Sequence, residues 1–184
     1  MNAGIVASRY AKALLRYVQD EGSGERVYSQ VRTLVRVMNE LPKMQEYIMD
    51  ASDVSMERKL SLLSAAVEGQ LEPSIERFLR LVSEHHRNEY FPRMLLSFID
   101  QYRAENNIMV GRIVTAVRNE GLHTRLEGIF HDRTGAEVHL EERVDDGIIG
   151  GFIFELEGKR VDASVNGQLQ RIRRMLVEKN NRIV

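Results

Sequence analysis

A chain of 184 residues, 43% apolar and 29% charged, has the length and apolar content for one large core or two small ones. A formal net charge of -1 supplies no global field towards nucleic acid or anionic lipid, and the lack of cysteine excludes disulfides, thiolate chemistry and cysteine-bound metal. No apolar run reaches the ~18 residues of a membrane span, and the start lacks an uninterrupted signal-peptide core, so membrane association is expected to run through partners.

Up to Asn106-Asn107 every segment has helical periodicity. Asn2 to Asp20 carries Val6, Tyr10, Ala13, Leu14 and Tyr17 at the spacing of one face. Gly22-Ser23-Gly24 breaks it. Val27, Val31, Leu34, Met38 and Leu41 mark a second helix, stopped by Pro42, and a short third carries Met44, Tyr47 and Ile48. Ser55 is a candidate N-cap for a fourth, with Leu60, Leu63 and Val67 and with Gly69 near its end. Pro73 suits the first turn of a fifth, striped by Ile75, Phe78, Leu79 and Val82. Phe91, Leu95, Phe98, Ile99 and Tyr102 define a sixth. The pattern predicts a six-helix antiparallel bundle over residues 1–105.

Beyond Asn107 the period falls to two. Ile108 to Val117 predicts a strand, Leu122, Leu126, Ile129 and Phe130 a helix, and Val138 with Leu140 a half-buried strand. Ile148 to Leu156 and Lys159 to Val161 predict two strands joined by a hairpin turn at Glu157-Gly158. Ser164 or Asp162 caps a last helix with Val165, Leu169, Ile172 and Leu176 on one face. The second domain, residues 106–184, is thus a small α/β unit of order β-α-β-β-β-α, and the whole chain is α+β, mostly α.

Adjacent glycines near a helix raise the question of a phosphate cradle. Gly150-Gly151 lies inside a strand pattern, lacks the G-x-G-x-x-G spacing, and predicts a bulge or a close backbone approach. Gly158-Lys159 is followed by Arg160 rather than Ser or Thr. His85-His86 would point ~100° apart on a helix and suit a helix end better than a metal. His123, His131 and His139 have no matching carboxylate pattern, and Asp145-Asp146 before a glycine predicts a turn. No nucleophile, base and orienter share a readable spacing, so no catalytic, cofactor-binding or metal-binding residue is assigned.

Two features point to partners. Lys159 to Val184 holds seven Lys and Arg against Asp162 and Glu178, which is either a solvated helix face or a polar docking surface. The first helix adds Ile5, Ala7, Ala11, Leu15 and Val18 to its stripe, more than the ~100° arc that one core needs. The fifth has Phe78 and Leu81 in line with Ser74. These two helices either frame a groove for a helix from another chain or sit centrally in the bundle.

Asp145-Asp146-Gly147-Ile148-Ile149-Gly150-Gly151-Phe152 and Asp162-Ala163-Ser164-Val165-Asn166-Gly167-Gln168-Leu169 resemble the C-terminal signature of the δ subunit of F-type ATP synthases, the family of the mitochondrial oligomycin sensitivity-conferring protein. Ala7-Ser8-Arg9-Tyr10-Ala11-Lys12-Ala13-Leu14 resembles that family's opening motif, and the resemblance spans the chain. It departs at Asp146, where the family often has Pro or Ser. The resemblance implies a non-catalytic stator without cofactor, one copy per complex, peripheral to the cytoplasmic face of the cell membrane. It would couple rotation to proton transport and ATP synthesis. It implies a groove between the first and fifth helices for the N-terminal helix of an α subunit, with Tyr10, Ala11, Leu14, Ile75, Phe78 and Leu81 as candidate lining residues. It implies contact of the second domain with the b subunits, for which Arg171, Arg173 and Arg174 are candidates. Gly150, Gly151, Asp162, Ser164, Gly167 and Leu169 stand as its structural signature. The rival reading is a small RNA-associated adaptor with a basic C-terminal helix, against which the near-neutral charge and the absence of aromatics among the arginines argue.

Overall fold

The computed structural model describes residues 3–50, 55–117, 120–156 and 159–181. The chain divides into two compact units, residues 1–105 and 106–184.

The first unit contains α1 (Ala3–Asp20), α2 (Gly24–Glu40), α3 (Pro42–Met49), α4 (Met56–Ala66), α5 (Pro73–Glu84) and α6 (Phe91–Glu105). Proline opens α3 and α5, where its missing N–H costs nothing. Ser55 caps α4 by accepting the Arg58 N–H. Gly22, at φ +65, ends α1 and lets Ser23 N–H reach Val18 O at 2.9 Å. At the end of α4 the left-handed position is taken by Glu68, at φ 53, and not by Gly69, whose N–H instead reaches Ser64 O. The core gathers most of the predicted stripes: Leu34, Met38, Ile48, Leu63, Ile75, Leu79, Phe91, Leu95 and Phe98 are fully buried, whereas Leu41, which follows α2, and Tyr47 are each 56% exposed. Each buried side chain of this kind stabilises by roughly 1.5–3 kcal/mol. Lys59 is also buried; its ammonium donates to Asp50 O, and desolvation lowers its pKa.

The second unit holds β1 (Ile108–Thr115), α7 (Glu120–Thr134), β2 (Glu137–Val144), β3 (Phe152–Leu156), β4 (Lys159–Asp162) and α8 (Val165–Asn181). The sheet order is β2-β1-β3-β4, with β1 and β2 parallel through the α7 crossover and the other pairings antiparallel. α7 covers one face. Leu122, Leu126 and Phe130 pack on Ile113, Val138, Leu140 and Phe154, and Phe130 stacks on Phe154 at 4.5 Å. Ile129, predicted with this stripe, is 39% exposed.

Three strand boundaries differ from the sequence expectation. β1 stops at Thr115 rather than Val117. β4 extends to Asp162. β3 begins only at Phe152, because residues 146–148 form a 3-10 turn in which the Asp145 carboxylate takes the Gly147 N–H at 2.9 Å. Gly150-Gly151 therefore precedes the strand rather than interrupting it. The Glu157-Gly158 hairpin turn lies outside the described residues, although the flanking Leu156 and Lys159 are paired.

Gly111 sits at the sheet centre, where a Cβ would lie 2.8 Å from Glu155 O and 2.9 Å from Leu140 Cδ2. Gly111→Ala is expected to destabilise the second unit by about 1–3 kcal/mol through overpacking, read as a lower denaturant midpoint with an unchanged slope.

Candidate partner-binding surfaces

The seam between α1 and α5 is built from residues three and four apart. Tyr10, Ala13 and Tyr17 follow one side of α1, and Ser74, Arg77, Leu81 and His85 one side of α5. Side chains bridge the two helices at two levels. Tyr10 meets Phe78 edge-on at 6.4 Å between ring centres and His85 at the same distance, while the Arg87 guanidinium lies 5.4 Å from the Tyr10 ring centre. His85 closes its helix by contacting Leu81 O through Nδ1 at 2.8 Å, the helix-end role expected of it.

At the second level Tyr17, Glu21, Ser74 and Arg77 form a polar latch. The Tyr17 hydroxyl donates to Glu21 Oε1 at 2.5 Å, Ser74 Oγ donates to Glu21 Oε2 at 3.1 Å, and Arg77 donates to Tyr17 and pairs with Glu21 at 3.4 Å. The Tyr17 hydrogen bond, with smaller help from Ser74 and Arg77, holds the Glu21 carboxyl below its usual range. The Glu21 hydrogen bond raises the Tyr17 pKa. The i, i+4 spacing of Tyr17 and Glu21 and the i, i+3 spacing of Ser74 and Arg77 are readable in the sequence, but no periodicity brings together these two pairs, which lie more than fifty residues apart.

The candidate groove residues divide sharply. Ala11 is 0% exposed, and Leu14, Ile75 and Phe78 are also buried among the unit's own side chains. Tyr10 is half-buried and Leu81 is 41% exposed. The small residue that reaches the surface of the seam is Ala13, one turn from both Tyr10 and Tyr17, and not Ala11. Ile5 is exposed near the start of α1.

In the second unit Ser164 is the N-cap of α8. Its hydroxyl takes the Gly167 N–H at 3.0 Å and donates to Asp162 Oδ1 at 2.6 Å, and its own N–H reaches the same oxygen at 3.0 Å. These bonds, led by the Ser164 hydroxyl, keep the Asp162 carboxyl below its usual range. Two glycines permit close approaches here: a Cβ on Gly151, at φ +76, would lie 2.4 Å from Ala163 O, and one on Gly167 would lie 2.5 Å from Asp162 Oδ1. The close backbone approach expected of the glycine pair is thus made by Gly151.

Above this base α8 presents an uncovered stripe. Val165, Leu169 and Ile172 are exposed, as is Met175; the Leu176 side chain lies outside the described residues. Arg171 donates to Asp162 O, and Arg173 and Arg174 are exposed. The sheet face opposite α7 carries a shallow concavity of about 200 Å³ around Arg112, Arg143, Arg160, Val114 and Ile153. Register sets Arg112 between Glu141 and Glu155, so the charges there alternate.

Among the described residues no group of three or more His, Cys, Asp or Glu is placed to hold a metal ion. His131 contacts Ala136 O at 2.9 Å and His139 pairs with Glu137 at 3.0 Å; the His123 side chain lies outside the described residues. Because Glu21 and Asp162 titrate below their ordinary values, their stabilisation is complete above about pH 4.5 and is lost as pH falls through the lowered folded-state values. Glu21→Gln is expected to lower stability at neutral pH and to flatten the acid limb of a melting-temperature profile between about pH 2 and 5.

The sequence matches the family described as the ATP synthase delta (OSCP) subunit over residues 6–176. The ATP synthase subunit delta of Phocaeicola vulgatus is 34% identical over 186 residues, covering 100% of each chain. That of Bacteroides fragilis is 36% identical over 191 residues, again covering 100% of each, and that of Lactobacillus johnsonii is 30% identical, covering 94% of this chain and 95% of its own. The fold resembles a chain in the cryo-EM structure of the Toxoplasma gondii mitochondrial ATP synthase hexamer, with a TM-score of 0.61 and 22% identity over 93% of this chain and 97% of that one. With matched residues running from α1 into α8, the chain belongs to the ATP synthase delta (OSCP) subunit family.

Proposed function

We propose that this chain is a non-catalytic stator subunit of an F-type ATP synthase, linking the catalytic head to the peripheral stalk so that rotation is coupled to proton transport and ATP synthesis. The observation that carries the reading is the end-to-end similarity to ATP synthase delta subunits. No described helix is long and apolar enough to cross a membrane. The proposed place is peripheral, on the cytoplasmic face of the cell membrane. The work is mechanical. Torque on the head is resisted by contacts whose dissociation is slow against turnover, and such contacts depend on a few well-buried anchors more than on total area.

The first unit holds the N-terminal helix of an α subunit along the α1–α5 seam. The accessible lining there is Tyr10, Ala13, Tyr17 and Leu81. Ala13 lets the guest backbone come close, Leu81 supplies an apolar anchor, and the latch at Tyr17 and Arg77 bounds one end. Ala11, Leu14, Ile75 and Phe78 act beneath this surface by fixing the two helices. The second unit meets the b subunits through α8, whose bare stripe and arginines suit an apolar helix flanked by acids.

Leu81→Asp is expected to weaken binding of an α-subunit N-terminal peptide at least tenfold in a calorimetric titration while leaving the melting temperature nearly unchanged. Phe78→Ala, by contrast, is expected to lower stability by about 3–5 kcal/mol as a core truncation. Reversing the charges of Arg171, Arg173 and Arg174 together is expected to abolish co-purification with the b subunits at low salt. Retention of the b subunits would remove these arginines from the contact.

A further inference from the structure

Ile149 is held in a backbone conformation that a β-branched residue rarely adopts. Its φ is 65 and ψ -38, and the Gly150 N–H returns to Ile148 O at 2.7 Å, which closes a γ-turn around it. The surroundings enforce the turn. Ile148 is buried, Ile149 N–H reaches Asp146 O at 3.3 Å, and Gly150 O accepts the Val165 N–H at 3.0 Å. Gly151 follows with its backbone pressed against Ala163. The strained turn gains the unit no burial at Ile149 itself, whose side chain is 70% exposed. Strain of this kind persists where neighbouring contacts over-determine it, and it concentrates at sites of recognition.

The residue that follows the isoleucine abuts the start of the α8 stripe. A Cβ on Gly150 would touch Val165 Cγ2 at 3.4 Å, and Val165 begins the exposed series that continues through Leu169 and Ile172. We infer that Ile149, pinned outward by the γ-turn, is a preorganised anchor that extends the α8 stripe into one docking surface for a stalk helix with acid-flanked apolar residues. The inference rests on the reading of the second unit as the stalk-binding one. Charge argues for that occupant: Arg173 and Arg174 are exposed on α8, and Arg171 reaches Asp162 O at its base. A residue whose backbone is already held in place loses less freedom on docking, so its contribution to affinity is large for its size.

Ile149→Gly separates recognition from folding, because glycine adopts positive φ without penalty. Titrating the full chain with the soluble part of the b subunit, the Gly variant is expected to melt no lower than the wild type yet bind at least tenfold more weakly, while Ile149→Leu retains most of the affinity. Wild-type affinity in the Gly variant overturns the inference, as does a loss of affinity accompanied by a lowered melting temperature. A wild-type chain that binds the α-subunit peptide but not the b subunit overturns the stalk reading itself, and the inference with it.

Discussion

A protein that acts only by holding others must leave apolar side chains uncovered, and the fold has to keep those side chains from being consumed by its own core. The two units meet this constraint differently. In the first, α1 turns Val6, Ala7, Ala11, Leu14, Leu15 and Val18 inward and leaves its side towards α5 accessible. There the helices are joined by side chains at two levels, around Tyr10 and around Glu21, with Ala13 and Leu81 accessible beside them. In the second, α8 is fastened at its base through Asp162, Ser164 and the Gly150-Gly151 turn, and its stripe is left bare. Exposed apolar surface on this scale carries a risk of aggregation that partners remove.

Much of the fold was legible because amphipathic period reports the type of element and the face it buries. The prolines at 42 and 73, the Ser55 cap and the stripes of α2, α5 and α6 follow directly from local rules. The α7 helix and the alternation of β2 were equally plain, whereas the parallel pairing of β1 with β2 across α7 is supplied by the structure. The run Ile148 to Leu156 was not. Its apolar residues suit a continuous strand, and only the Asp145 side chain, Ile148 burial and the contact with Ala163 turn its first half into a compact turn.

The site was less legible than the fold for a related reason. A helical stripe has the same sequence whether its cover is the same chain or another one. Ala11 and Ala13 are both small residues on α1, yet one is sealed in the core and the other faces outward. The α8 stripe had the pattern of a helix packed on a sheet, and in the structure its side chains are exposed. The latch needed Glu21 and Arg77 to meet across the fold, which no spacing announces. The family resemblance supplied the direction, and the burial of individual side chains supplies the choice among residues.

A strap of this kind requires that its two attachments be separate and simultaneous. The most direct test is a pair of calorimetric titrations of the full chain, one with an α-subunit N-terminal peptide and one with the soluble b subunit, each repeated with the other ligand saturating. Two sites of unit stoichiometry whose affinities survive saturation of the other are the predicted result. Competition between the two ligands for one surface, or no binding of either, would contradict the account.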